Sequence, residues 1–291
     1  MSDAASPDTT ADTTNGLDAL QSDVLSVEQD GHVATVWLDR PGAMNAMGPA
    51  FFADLPRVME QLGSDAGVRC IVLAARGKAF SAGLDLKTMG MEVLQPDPDA
   101  SPVENRTALL DKIRYMQDAI TSVDECPKPV IAAIHGVCIG GGVDLTTACD
   151  IRLATRDATF SIRETRLAMV ADLGTLQRLP RIVGEGHVAE LVYTGGDVSG
   201  ERAEAMGLVN HVYDTADACR AAAHEMAAAI AENSPLAVQG AKSVLRAGRS
   251  QTVEEGLEHV ALWNAAFLQS DDLAEAVTAF MQKRAPSFEG K

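Results

Sequence analysis

Two glycine-centred segments of this chain have the residue types and spacing of an anion-stabilising site. The first is Gly77-Lys78-Ala79-Phe80-Ser81-Ala82-Gly83-Leu84-Asp85-Leu86, which follows an apolar run ending at Ala75. It therefore lies at the C-terminal end of a predicted strand, where α/β proteins bind ligands. Small residues at Ser81, Ala82 and Gly83 let a ligand approach the backbone closely; an ordinary turn leading into a helix is the alternative. The second is Ile134-His135-Gly136-Val137-Cys138-Ile139-Gly140-Gly141-Gly142-Val143-Asp144. Here an apolar run enters three consecutive glycines and then a helical pattern over Val143–Cys149. Three glycines carry a large conformational entropy cost. They make sense where a helix N-terminus presents bare N–H groups to an anion, a phosphate or a carbonyl gaining negative charge. One backbone donor from each turn would form an oxyanion hole, and each such donor is typically worth about 2.7–4 kcal/mol in a transition state.

Competing motifs are excluded at the same residues. No Lys-Ser/Thr follows the glycines, so they are not a P-loop, and Leu145 breaks the G-x-G-x-x-G spacing of dinucleotide sites. No G-x-S-x-G is present, which speaks against a serine hydrolase. His135 lies in an apolar strand pattern and reads as a core residue.

The elements that must position these turns follow from periodicity. His32–Leu38, Val68–Ala75, Val130–His135 and Ile151–Ala154 are short, apolar and rich in β-branched residues, as strands buried on both faces are. Leu109, Ile113, Met116, Ile120 and Val123 recur at helical spacing, and Pro127 and Pro129 end that pattern. A short helix is predicted at Leu176–Leu179. From Ser199 onward strand signals are almost absent, and stripes such as Leu257, Val260, Asn264 and Phe267, then Leu273, Val277, Phe280 and Met281, predict helices. The expected organisation is an acidic, disordered tail over residues 1–18, an α/β core over 19–198 and a helical C-terminal subdomain over 199–291. The late stripes are covered either within the chain or by another subunit.

Composition bounds the partners. The 291 residues are 46% hydrophobic and 22% charged, enough for one large α/β domain. Asp and Glu number 41 against 24 Lys and Arg, a net charge of −17, which disfavours nucleic acids and anionic membranes. A small phosphorylated ligand is still admissible through backbone donors and local cations; Lys78, Lys87, Arg178 and Arg181 are the candidates. Cys70, Cys126, Cys138, Cys149 and Cys219 form no C-x-x-C pair and read as reduced core thiols rather than a zinc site. No apolar run reaches the roughly 20 residues of a membrane span. The first residues show neither a secretory apolar stretch nor arginine, and the C-terminal residues are no peroxisomal address, so the cytoplasm is the expected compartment.

KAFSAGLDL and HGVCIGGGVDL resemble the two oxyanion and CoA-binding loops of the crotonase (enoyl-CoA hydratase/isomerase) superfamily, over about residues 25–285. The resemblance implies a spiral of ββα units whose C-terminal helices pack in trimers or hexamers. It implies that the N–H groups of Ala82 and Gly141 polarise a thioester carbonyl, and that Gly83, Leu84, Asp85 and Leu86 line the CoA path. No separate cofactor is needed, because coenzyme A is part of the substrate. GGGVDLTTACDIRLAT, then Glu164, Ala171-Asp172 and GTLQRLPRIVG, is similar to the Δ3,5-Δ2,4-dienoyl-CoA isomerases. By that resemblance Asp172 takes a proton from C2 of the acyl chain, Glu164 returns one at C6, and Asp144 tunes the pair. Carboxylates crowded in a dry pocket should share protons near neutral pH. Each also has an ordinary reading: Asp144 as a helix-dipole partner, Glu164 in SIRETR as a solvated ion-pairing residue, and Asp172 as a helix cap. An enoyl-CoA hydratase resting on Glu164, and a non-catalytic acyl-CoA-binding subunit, are the competing functions.

Overall fold

Alternation along the strands builds two apolar layers, one on each face of a central sheet. In a computed structural model, residues 20–90 and 96–291 are described; the expected tail over residues 1–18 lies outside them. The six-stranded sheet has the order β1 (Leu25–Asp30), β2 (Val33–Leu38), β3 (Cys70–Ala75), β4 (Val130–Ile134), β6 (Ile151–Thr155) and β9 (His211–Tyr213). β1 and β2 are antiparallel and the remaining pairs are parallel. Ile71, Leu73 and Ala75 of β3 face the larger core, while Cys70, Val72 and Ala74 face the smaller one. The same period of two divides Val130, Ala132 and Ile134 from Ile131 and Ala133.

The larger core is covered by α1 (Pro49–Ser64) and α2 (Pro102–Glu125). α1 buries Phe51, Phe52, Leu55, Val58, Met59 and Leu62, one helical stripe. α2 starts at a capping box in which Ser101 and Glu104 satisfy each other's backbone N–H groups. It buries Met116, Ala119, Ile120 and Val123, three of which belong to the predicted stripe. The smaller core is closed by α7 (Ala216–Ala231), whose Cys219, Ala223, Ala227 and Ala231 repeat every fourth residue and let the helix lie close to the sheet.

A second sheet of three short strands has the order β5 (Val137–Ile139), β7 (Thr159–Ser161) and β8 (Val198–Ser199). β4 and β6 of the large sheet each feed directly into β5 and β7 of the small one. This stepping is the expected ββα spiral. After β5 comes α3 (Gly141–Ala148); α4 (Thr175–Arg178), α5 (Glu185–Thr194) and α6 (Gly200–Ala205) follow along the chain. The C-terminal helices are α8 (Pro235–Ala247), α9 (Val253–Phe267) and α10 (Asp271–Gln282).

The expected boundary at residue 198 needs correction. β9 pairs with β6 and α7 lies on the large sheet, so the core extends through α7. The strand was missed because three residues, His211–Tyr213, show no periodicity. α8 is anchored to the core as well: the buried Lys242 donates to Asp150 Oδ2 at 2.7 Å and to the Lys128 carbonyl at 2.9 Å. All five cysteines are free and buried, as expected. No helix among the described residues is long and apolar enough to cross a membrane. Phe52 has no exposed surface, so Phe52→Ala should lower the unfolding free energy by about 3–5 kcal/mol, measurable as a lower urea midpoint with an unchanged slope.

Candidate active site

Backbone hydrogen bonds stitch the two glycine segments into one unit. Phe80 N–H donates to the His135 carbonyl at 2.9 Å, Ser81 N–H to Val137 at 2.9 Å, and Ile139 N–H back to Ser81 at 3.0 Å. His135 Nε2 lies 2.9 Å from the Gly77 carbonyl, tying the starts of both segments, which is the core role expected of it. The Ser81 hydroxyl donates to Asn45 and accepts from Gly83 N–H. Asn45 in turn donates its side-chain amide to the carbonyls of Arg76 and Ala79. Met44 and Asn45 both take left-handed backbone angles, φ 50 and 53, and are held there by that network.

The approach of the turns is too close for a side chain at Gly83. Its φ is +82, and a Cβ there would stand 2.7 Å from the Ile139 carbonyl oxygen and 3.2 Å from Gly141 N. From the opposite side, a Cβ on Gly141 would lie 3.6 Å from Leu84 N. The N–H groups of Leu84 and Gly141 are thus neighbours, and neither donates to a protein acceptor among the described residues. The expectation for Ala82 is corrected here. Its N–H is committed to the Met44 carbonyl at 3.0 Å, so the turn's free donor is Leu84, two residues later. Only the tertiary partner Met44 decides between them.

Asp85 also differs from expectation. Its carboxylate binds Arg40 at 2.7 Å and accepts from Lys87 N–H, and the Arg40 bond holds it below the usual carboxylate range. It fixes the turn from within. Leu86 is 49% exposed beyond it, open to a ligand.

Glu164 lies beside the glycine turn that carries Gly141, and Asp144 and Asp172 are near enough to add to its proton affinity. Glu164 opens a short 3-10 turn, Glu164–Leu167. Its neighbours turn outward, Arg163 to Asp197 and Arg166 to the Thr194 carbonyl. Glu164 itself packs inward, where a Cβ on Gly140 would stand 2.9 Å from its Oε1. Its Oε2 is buried without a hydrogen-bond partner. The solvated ion-pair reading of SIRETR therefore fits the two arginines and not the glutamate. Burial first, then the charges of Asp144 and Asp172, push Glu164 up to about 7.

Asp144, 1% exposed, lies in the first turn of α3, and its Oδ1 accepts from Thr175 N–H at 2.7 Å. Burial raises it to about 6; Thr175 opposes the rise, Asp172 adds to it and Arg178 opposes it. Asp172 is exposed in the single chain, between the buried Ala171 and Leu173. Its main chain is tied to α2, where Gln117 Nε2 donates to its carbonyl at 2.6 Å. Desolvation by the surrounding protein nonetheless raises its carboxyl above the ordinary range. Asp172 forms no side-chain cap for α4. Arg178 and Arg181, expected as candidates for phosphates, line a cleft of about 760 Å³ whose wall includes Asp172. Arg178 there donates to the Thr121 hydroxyl and Arg181 to the Arg249 carbonyl. No cluster of metal-ligating side chains occurs among the described residues.

Two neighbouring amide donors with a carboxylate of raised proton affinity beside their turn have the chemistry to stabilise an enolate and to hold a transferable proton. Such a site costs stability. Below pH 4.5, the ordinary value of a glutamate, Glu164 is protonated whether folded or unfolded; between there and about 7 the folded chain holds the extra proton. Stability therefore falls as pH rises through that window. Glu164→Gln should raise the unfolding free energy at pH 8 by about 1–3 kcal/mol and change it little at pH 4, as read by chemical denaturation at both pH values.

Sequence and structural relatives identify the family. A profile described as enoyl-CoA hydratase/isomerase matches residues 28–291. The Delta(3,5)-Delta(2,4)-dienoyl-CoA isomerase of Dictyostelium discoideum, mitochondrial by name, is 45% identical over 88% of this chain and 87% of its own. The Arabidopsis thaliana enzyme of the same name, peroxisomal, is 45% identical over 91% of this chain and 96% of its own. The crystal structure of enoyl-CoA hydratase from Bacillus anthracis superposes with a TM-score of 0.83 at 32% identity, covering 92% of this chain and all of that one. This chain belongs to the enoyl-CoA hydratase/isomerase, or crotonase, family.

Proposed function

We propose that this protein is a dienoyl-CoA isomerase, converting 3,5-dienoyl-CoA to 2,4-dienoyl-CoA in fatty acid β-oxidation. The observation that supports the reading is Glu164, its proton affinity raised by burial and by Asp144 and Asp172, beside the turn that brings the N–H groups of Leu84 and Gly141 together. The thioester oxygen accepts from those two donors. Asp172, the more open carboxylate, removes a proton from C2, and the electron pair is shared between the oxygen and the two double bonds as a conjugated trienolate. Glu164 delivers its proton at C6, leaving double bonds at C2 and C4. Asp172 ends with one proton more and Glu164 with one fewer, so the pair must exchange a proton before the next turnover. The isomerase relatives at 45% identity support the same reading.

The hydratase alternative needs a free carboxylate beside Glu164 to hold a water. Asp144 is the group at that place, and its short side chain is buried and bound to Thr175 N–H. A purely binding subunit leaves three costly carboxylates without a task.

The C-terminal helices bear on assembly. α9 buries none of its residues in the single chain, and Leu257, Leu262, Phe267, Phe280 and Met281 are exposed on α9 and α10. A homotrimer or homohexamer, the assembly implied by the family resemblance, accounts for them. The sequence-based expectation of the cytoplasm is kept as part of the proposal, although the relatives carry mitochondrial and peroxisomal names.

Incubation with a 3,5-dienoyl-CoA should produce the absorbance of a conjugated 2,4-dienoyl thioester; a β-hydroxyacyl product instead would favour the hydratase. Asp172→Asn and Glu164→Gln should each lower kcat by about 10²–10⁴-fold with KM little changed. In the wild type, kcat/KM should fall above about pH 7, where Glu164 loses its proton. Light scattering should give three or six times the chain mass of 30.6 kDa, and Phe280→Asp should reduce it.

A further inference from the structure

A short stretch after β2 touches both donor turns, although neither donor belongs to it. Asn45 anchors this stretch: its Oδ1 accepts from Arg40 N–H at 2.8 Å, and its carbonyl accepts from the Ser81 hydroxyl at 2.9 Å. Met47 follows two residues later and has no exposed surface. Its N–H donates to the Gly83 carbonyl at 2.8 Å, and its carbonyl accepts from Asp85 N–H at 2.9 Å. The two bonds form a parallel bridge between Met47 and Leu84. In such a bridge the peptide groups flanking Leu84 face Met47, and the N–H of Leu84 itself points the other way. Ser81, Ala82 and Gly83 spend their N–H groups on Val137, on Met44 and on the Ser81 hydroxyl. From Ser81 to Asp85, Leu84 alone keeps a free N–H among the described residues.

The Met47 side chain reaches the other turn. A Cβ on Gly141 would stand 3.2 Å from Met47 Sδ, closer than to Gly83 Cα or Leu84 N, each at 3.6 Å. The backbone of Gly141 is not left-handed, so it is space that opposes a side chain there, and Met47 is the tightest neighbour. One residue therefore bonds the strand of the first donor and packs against the second.

We propose that Met47 is a positioning residue for the oxyanion hole: its backbone selects Leu84 N–H as the first donor, and its thioether sets the distance to Gly141 N–H. Two donors stabilise one oxygen only when both stand about 2.7–3.1 Å from it. Methionine is unbranched and fills an irregular gap of this kind. Leucine, of similar volume, can replace it, whereas alanine leaves a void into which the Gly141 turn can shift. The assignment rests on reading the two N–H groups as thioester donors, and not on which double bonds move.

The test compares Met47→Ala and Met47→Leu with Met59→Ala, which removes a buried methionine of α1 in the same core. Each protein is loaded with hexanoyl-CoA labelled isotopically at the thioester carbonyl, and the infrared band of that carbonyl is recorded. Polarisation by both donors lowers its frequency in the wild type. Met47→Ala should lose most of this red shift, and kcat should fall by up to about 10²-fold, the lower end of the loss of a whole donor, with KM within about threefold. Met47→Leu and Met59→Ala should keep the red shift. Should Met47→Ala not fold, Met47→Val, which also lacks the thioether, is read in its place. A wild-type red shift in the shortened Met47 variant overturns the proposal, as does an equal loss in Met59→Ala, which would mark a general packing effect. A wild type with the red shift but no dienoyl isomerase activity overturns the isomerase reading and leaves this one standing; a wild type that binds the thioester without a red shift overturns this one.

Discussion

The site depends on one constraint: two backbone turns must approach so closely that no side chain fits between them. Gly83 faces the Ile139 carbonyl at a distance a Cβ would close to 2.7 Å, and Gly140 faces Glu164 Oε1 at 2.9 Å on the same terms. Only this closeness brings Leu84 N–H, Gly141 N–H and a glutamate into one small volume. The hydrogen bonds that enforce it come from Ser81, Asn45 and His135, none of which is offered to the reaction. These donors are therefore rigid before any substrate arrives, which is what makes fixed dipoles effective against a developing charge.

The same closeness is costly for the carboxylates. Asp144 and Glu164 are drawn away from solvent, and burial is the largest cause of the raised affinity of each. Such groups persist because the surrounding sheet is bound on both faces, with α1 and α2 on one side and α7 on the other. The cores offset a local penalty of a few kcal/mol, the range expected when buried ionisable groups lack full pairing. Proton affinity and stability are thus opposite readings of one environment.

Much of this was legible in the sequence where chemistry and backbone conformation demand one residue type. The three glycines at 140–142, the small residues at 81–83 and the four long apolar strands could be read directly, because entropy and burial leave few alternatives. The three acids needed the family resemblance: Glu164 sits between two arginines in SIRETR, and nothing local shows that they turn outward while it turns in. The donor in the first turn was displaced by two residues, since the bond from Ala82 to Met44 is tertiary. β5, β7, β8 and β9 have two or three residues each, too few for any period to register. They exist because longer strands beside them supply a ladder.

The proposed mechanism gives the short acid at position 144 a part in separating proton shuttling from water addition. Asp144 stops at the first turn of α3, where Thr175 N–H meets it at 2.7 Å and solvent scarcely reaches it. Its place as a potential second base is taken by Asp172, which stands in a more open position on a segment tethered to α2 through Gln117. In the proposed mechanism, the short acid at 144 and the carboxylate at 172 together favour accepting a proton from carbon over activating water. The oxyanion donors need not change at all, because both reactions place negative charge on the same thioester oxygen.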